Sequence, residues 1–308
     1  MLRQTALILL ALLWPAFAAM AESTRTQVVK VGGLTRTYRL HVPDALRKNR
    51  DLPLVIAFHG SGVDGAAMEK FSKFSELADR EGFIVAYPDA IGHEWNDGRE
   101  ARKIRSQASH VDDVAFVEAM IIQISSLRRI DPKRIYAAGF SNGGIFAHYL
   151  GSKLAGRLAA IAPVSGGLAE PVLRDFKPAA PLSVCMIHGA ADKAVPYDGG
   201  AVDNHDNGRV IGATQSGNLW TQQANNVFAA PTTSLLSDTT SQGHRRVKFT
   251  RWSAPKQKTE VVLYTIEDGG HGWPNDPQAA SMLRFWRSTH TFDTTKAIWD
   301  FFKSHPKA

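Results

Sequence analysis

The segment Arg134-Ile135-Tyr136-Ala137-Ala138-Gly139-Phe140-Ser141-Asn142-Gly143-Gly144-Ile145-Phe146 decides the fold. Residues 134–140 form an apolar run of strand length. Residues 142–153 carry helical periodicity. A single serine separates them. Gly139-Phe140-Ser141-Asn142-Gly143 fits the pattern G-x-S-x-G. A serine on such a tight strand-to-helix turn is pushed out above the sheet edge. Side chains on the flanking glycines would collide with the neighbouring strand and helix. The start of the following helix favours negative charge there.

The same alternation continues outward in both directions. Upstream, residues 52–58 are a continuous apolar strand that ends at His59-Gly60-Ser61-Gly62, and residues 83–87 are another, closed by Pro88-Asp89. Helical periodicity covers 66–80, and Asp112-Asp113 sit where a helix cap belongs before a helix to about 127. Downstream, residues 158–164, 182–188 and 260–266 are further apolar strands, and 294–303 is an amphipathic closing helix. Two strands at 26–31 and 37–42, turned at Gly32-Gly33, precede the whole. Continuous apolar strands alternating with helices imply a mostly parallel central sheet with helices on both faces. The segment between the strands at 164 and 182 is short, so no large cap domain is expected there. Residues 204–254 are expected to hold a helix around 216–226, then a Ser/Thr-rich loop over 229–242.

The chain has 308 residues, 44% of them hydrophobic and 21% charged. This excludes an intrinsically disordered chain, and one cysteine excludes an intrachain disulfide framework. Residues 1–21 read as a cleaved signal peptide. Arg3 supplies its positive region, residues 6–14 are a short apolar run, and Ala19-Met20-Ala21 offers small residues at the cleavage site. The run is too short to span a membrane. The expected organisation is therefore a leader over 1–21 and one catalytic domain over 22–308. The product is expected to be secreted or periplasmic, without a stable membrane anchor. The net charge of +7 is spread in short clusters. With no zinc-finger, helix-turn-helix or RNA-recognition signature, no nucleic-acid partner is expected. Cys185 lies in an apolar run and reads as a buried, inert thiol.

A serine nucleophile needs a base. His271 follows the final strand in Asp268-Gly269-Gly270-His271-Gly272-Trp273-Pro274, where glycines let the backbone bring an imidazole close. The orienting acid belongs after a strand between Ser and His. Asp192 satisfies this in His188-Gly189-Ala190-Ala191-Asp192, with Asp198 and Asp206 as rivals. The chain order Ser141, Asp192, His271 is that of the α/β-hydrolase fold. An oxyanion hole needs two backbone N–H groups. Asn142 supplies one and the loop after residue 58 the other, from Gly60 or Ser61. No metal or cofactor is called for: His93-Glu94-Trp95-Asn96 lacks the second histidine of a zincin helix, and one cysteine excludes a thiolate zinc cluster.

These residues resemble the secreted polyhydroxybutyrate depolymerase and feruloyl esterase group of α/β-hydrolases. The resemblance runs in order through His59-Gly60, Trp95-Asn96-Asp97-Gly98-Arg99, Val111-Asp112-Asp113-Val114, Gly139 to Gly144, His188 to Asp192 with Val195-Pro196-Tyr197, and Gly270 to Pro274. It implies Ser141 as nucleophile, Asp192 as acid partner and His271 as base. It also points to Trp95, Asn96 and Trp273 near the pocket, either as walls contacting the acyl group or as packing that holds the loops. Ser61 stands where many relatives carry a cysteine. The absence of an appended substrate-binding module favours soluble or oligomeric esters over solid polymer. The expected activity is a serine carboxylesterase acting on 3-hydroxyalkanoate esters. Feruloyl or acetyl xylan esterase is the alternative. An acyltransferase or a non-catalytic binding protein stands behind both.

Overall fold

In the computed structural model, residues 24–43, 50–203, 207–236, 246–254, 258–274 and 292–308 are described. The expected leader lies outside them. Among the described residues no helix is long and apolar enough to cross a membrane.

A ten-stranded sheet forms the centre. Its strands are β1 (Thr24–Val31), β2 (Leu34–His41), β3 (Leu52–Phe58), β4 (Ile84–Pro88), β5 (Ile130–Phe140), β6 (Ala160–Val164), β7 (Ser183–Gly189), β10 (Thr232–Leu236), β11 (Val247–Ala254) and β12 (Thr259–Ile266), in the order β1-β2-β4-β3-β5-β6-β7-β12-β11-β10. The six central strands, β4 to β12, are parallel, and both ends close with antiparallel strands. Two short strands, β8 (Gly199–Ala201) and β9 (Arg209–Ile211), pair separately.

Side-chain alternation explains why the central strands read as unbroken apolar runs: both faces are covered. Leu54, Ile56 and Phe58 of β3 join one core with α4 (Asp113–Leu127) and α5 (Asn142–Leu154). Val55 and Ala57 of the same strand join the other, with α1 (Gly65–Ser72), α2 (Phe74–Glu81) and the C-terminal helix α7 (Thr294–Ser304). Cys185 lies fully buried in β7, paired in register with Val262 of β12. Burial pushes its thiol pKa up.

The segment 165–182 between β6 and β7 holds one short 3-10 turn at Glu170–Asp175, with no cap inserted. The longer excursion before β12 differs from expectation. Its helix, α6 (Ala213–Leu219), starts earlier and runs on through a π-turn over Trp220–Ala224. Within the expected Ser/Thr-rich loop, Thr232–Leu236 instead forms the edge strand β10. All five of its residues are exposed, so pairing with β11 makes it a strand, not burial.

Candidate active site

The strand β5 ends at Phe140 and α5 begins at Asn142, leaving Ser141 alone at the turn with φ 55 and ψ −121. A non-glycine residue there stores strain of roughly 1–3 kcal/mol. The surrounding backbone imposes it. A Cβ on Gly139 would come within 2.1 Å of the Gly143 carbonyl oxygen, and one on Gly143 within 2.5 Å of the His59 and Phe58 carbonyls. Only glycine permits the strand, turn and helix to approach this closely.

The loop after β12 brings His271 to this serine. His271 Nε2 lies 2.9 Å from Ser141 Oγ, and its Nδ1 lies 2.9 Å from Asp192 Oδ2. Asp192 stands in the loop after β7 and is buried. Its Oδ1 accepts the backbone N–H groups of Ala194 and Val195, each at 2.9 Å. Burial raises the Asp192 pKa, but hydrogen bonds from His188 and His271 outweigh that and hold it well below the usual carboxylate range. The aspartate is thus an anion with fixed lone pairs, oriented to accept an N–H from His271. Of the two rivals, Asp206 lies outside the described residues; the carboxylate that meets His271 Nδ1 is that of Asp192 and not that of Asp198.

The loop that carries His271 is itself clamped. Ser165, just after β6 and also at positive φ, donates its hydroxyl to the Gly272 carbonyl at 3.0 Å. Ala191 N–H donates to the Gly269 carbonyl at 2.8 Å, tying the base loop to the acid loop.

Opposite, Gly60 abuts the serine; a Cβ on it would sit 3.3 Å from Ser141 Cβ. The buried His59 fixes the peptide that follows. Its Nδ1 donates to the Gly60 carbonyl at 2.7 Å and its Nε2 accepts Ala90 N–H at 3.1 Å, which defines a neutral ring. Burial lowers its pKa accordingly. In a trans peptide the carbonyl and the next N–H point opposite ways. With the Gly60 carbonyl turned to His59, the Ser61 N–H faces away from that ring. Asn142, as the first residue of α5, has an N–H without a partner inside the helix.

The residues expected at the pocket divide differently. Trp95 is fully buried, its Nε1 donating to the His59 carbonyl at 2.9 Å and its ring stacked on Phe146. Trp273 is 2% exposed, donates to Thr295 Oγ1 and packs edge-on against Phe71 and Phe74. Both hold loops in place; neither ring offers an open face. Asn96 donates its side-chain amide to the Val111 carbonyl and its N–H to Asp113. Asp112 caps α4 by accepting Ala115 N–H, while Asp113 is buried and paired with Arg36 at 2.7 Å.

A buried polar network beside the turn was not foreseen as such. Asp97 receives Asn142 Nδ2 at 2.6 Å, Gln107 Nε2 at 2.8 Å and the guanidinium of Arg99 at 2.8 Å. The Trp95-Asn96-Asp97-Gly98-Arg99 motif contained its members, but nothing in their spacing shows that they grip Asn142. Among the described residues no group of three or more His, Cys, Asp or Glu is placed to hold a metal.

Similarity to known proteins agrees with this geometry. Residues 36–209 match the family described as Esterase PHB depolymerase. A protein named as an esterase, NocK of Nocardia uniformis subsp. tsuyamanensis, is 29% identical over 261 residues, covering 82% of this chain and 75% of that protein. Feruloyl esterase B of Piromyces equi is 35% identical over 164 residues, 51% of this chain but 29% of the esterase's own length. The acetyl xylan esterase from Aspergillus awamori superposes with a TM-score of 0.60 at 14% identity, over 91% of this chain and 99% of that one. At that identity the likeness is one of fold.

Proposed function

Because the chain belongs to the Esterase PHB depolymerase family, we propose that it is an exported serine carboxylesterase whose triad is Ser141, His271 and Asp192. The observation that carries this reading is the unbroken relay from Ser141 Oγ through His271 to the Asp192 carboxylate, both links 2.9 Å long. Ser141 Oγ attacks the ester carbonyl as His271 Nε2 takes its proton, and Asp192 stabilises the imidazolium that results. The tetrahedral oxyanion is held by the N–H groups of Asn142 and Ser61, the second favoured over Gly60 by the orientation that His59 gives the Gly60 carbonyl. His271 then protonates the departing alcohol. Water, activated by the same imidazole, releases the acid from the acyl-enzyme. Export rests on the leader read at residues 1–21.

For substrate, the reading is a 3-hydroxyalkanoate ester or oligoester. The burial of Trp95 and Trp273 supports it, since neither is available to stack on a phenolic ring. The similarity to feruloyl esterase B favours a second reading, hydrolysis of feruloyl esters on plant polysaccharide. Initial rates on a 3-hydroxybutyrate trimer and on methyl ferulate, with Ser141→Ala as the blank, test both. Preference for the trimer is expected. Preference for ferulate replaces the first reading with the second. Undiminished hydrolysis by Ser141→Ala overturns the triad itself.

A further inference from the structure

A second imidazole N–H lies beside the Asp192 carboxylate, one that the relay does not require. His188, near the C-terminal end of β7, is buried, with Nε2 2.9 Å from the Val195 carbonyl and 3.3 Å from Asp192 Oδ2. Both neighbours are acceptors. Nε2 therefore carries a proton in either protonation form of the ring and donates it to the Val195 carbonyl, with Asp192 Oδ2 as a second, longer neighbour. That N–H also lies 3.3 Å from the same oxygen that accepts His271 Nδ1–H. The ring is held edge-on by Tyr197, centroids 5.7 Å apart, and the Tyr197 hydroxyl is itself hydrogen-bonded to Thr265. Among the described residues, the titratable groups that face His188 include Asp192, Tyr197 and, from α5, His148, which couples to it electrostatically.

On the reading of Ser141, His271 and Asp192 as the triad, we propose that His188 is a positioning residue for the base. It draws part of the Asp192 charge to itself and fixes the rotation of the carboxylate. The pull of Asp192 on the His271 proton is then set by two histidines competing for one oxygen. Val195 completes the arrangement. Its N–H donates to Asp192 Oδ1 and its carbonyl accepts from His188, so the 192–195 turn and the His188 ring clasp the carboxylate from both sides.

The sign of the effect follows. Without the His188 N–H, more negative charge faces His271. Its protonated form is favoured, and the free base needed for attack is reached only at higher pH. The test is kcat/KM for p-nitrophenyl butyrate between pH 5 and 9 for the wild type, His188→Leu, His188→Asn and His188→Gln. Glutamine places an N–H near the Nε2 position; asparagine is too short to do so. In His188→Leu and His188→Asn the acid limb is expected to move up by about 0.5–1 pH unit, with kcat down about tenfold and KM nearly unchanged. In His188→Gln the limb returns to the wild-type position. Acid limbs that coincide in all four proteins, whatever their melting temperatures, overturn the proposal. If His188→Leu does not fold, the contrast between Asn and Gln decides alone. Ser141→Ala, run beside them, separates this outcome from failure of the triad: retained turnover there refutes the triad, while a dead Ser141→Ala with unmoved limbs refutes only the role of His188.

Discussion

Asn142 closes its side-chain amide on the buried Asp97 carboxylate, Nδ2 to Oδ2 at 2.6 Å, while its Oδ1 accepts Trp95 N–H at 2.7 Å. The residue whose backbone N–H is proposed to hold the oxyanion is thus pinned by its own side chain to a loop some 45 residues earlier in the chain. Asp97 in turn balances Arg99, both side chains at most 2% exposed.

Asp97→Ala removes one partner of that buried pair. It leaves the Arg99 guanidinium without its counter-ion, bonded only to the Asn207 carbonyl at 2.8 Å, and the Asn142 amide with only the Trp95 carbonyl at 3.2 Å. Loss of about 3–5 kcal/mol of stability is expected. Urea denaturation checks this. The folded fraction should also show lower kcat with little change in KM, because the loss falls on oxyanion geometry rather than on substrate binding.

Close backbone approach makes Gly139 irreplaceable. Gly139→Ala sets a Cβ 2.1 Å from a carbonyl oxygen that cannot yield, whereas Gly156 has nothing within 4 Å. Gly139→Ala is expected to cost about 4 kcal/mol or more and to express poorly; Gly156→Ala should stay within about 0.5 kcal/mol of wild type. Thermal melts of the two proteins side by side distinguish steric demand from general glycine sensitivity.

His148, fully buried in α5, accepts Trp220 Nε1–H at its Nδ1. Burial lowers its pKa from 6.5 to about 3. Between these values the unfolded chain binds a proton that the folded chain refuses. The stabilisation is complete above pH 6.5 and is lost as the pH falls towards 3, by up to about 1.4 kcal/mol per unit. His148→Asn, whose Oδ1 falls near the Nδ1 position and keeps an acceptor for Trp220, should flatten this dependence. Denaturant midpoints at pH 7, 5.5 and 4.5 measure it. Equal slopes in both proteins refute the assignment.

Trp273→Leu separates packing from substrate contact. The indole is buried between Phe71 and Phe74 and bonded to Thr295. Its loss is expected to cost about 2–4 kcal/mol of stability. KM for the 3-hydroxybutyrate trimer should stay within about twofold of wild type. A KM raised tenfold at unchanged melting temperature would return this ring to the pocket.

The central sheet was legible because burial on both faces writes itself as unbroken apolar runs, and the positions of Ser141, Asp192 and His271 because each follows such a run. The edge was not legible. Thr232–Leu236 has no alternation and buries nothing, and only its ladder to β11 makes it a strand. Trp95 and Trp273 show a different limit. Their motifs place them beside the site, but an indole wedged behind a loop and one lining a pocket have the same sequence. The roles of Asp97 and His188 depend on which atom meets which across tens of residues. A list of motifs carries no such information.

Cys185 offers a clock. It is the only cysteine, it lies within β7 with β6 and β12 on either side, and burial keeps its thiol protonated. A thiol reagent reaches it only when the central strands part. The rate at which a dye attaches under native conditions therefore reports the parting of these strands, and equals their opening rate at dye concentrations where labelling outruns reclosing. The hydrolase carries its own recorder of kinetic stability, at a position remote from Ser141 in the sequence and without any engineered label.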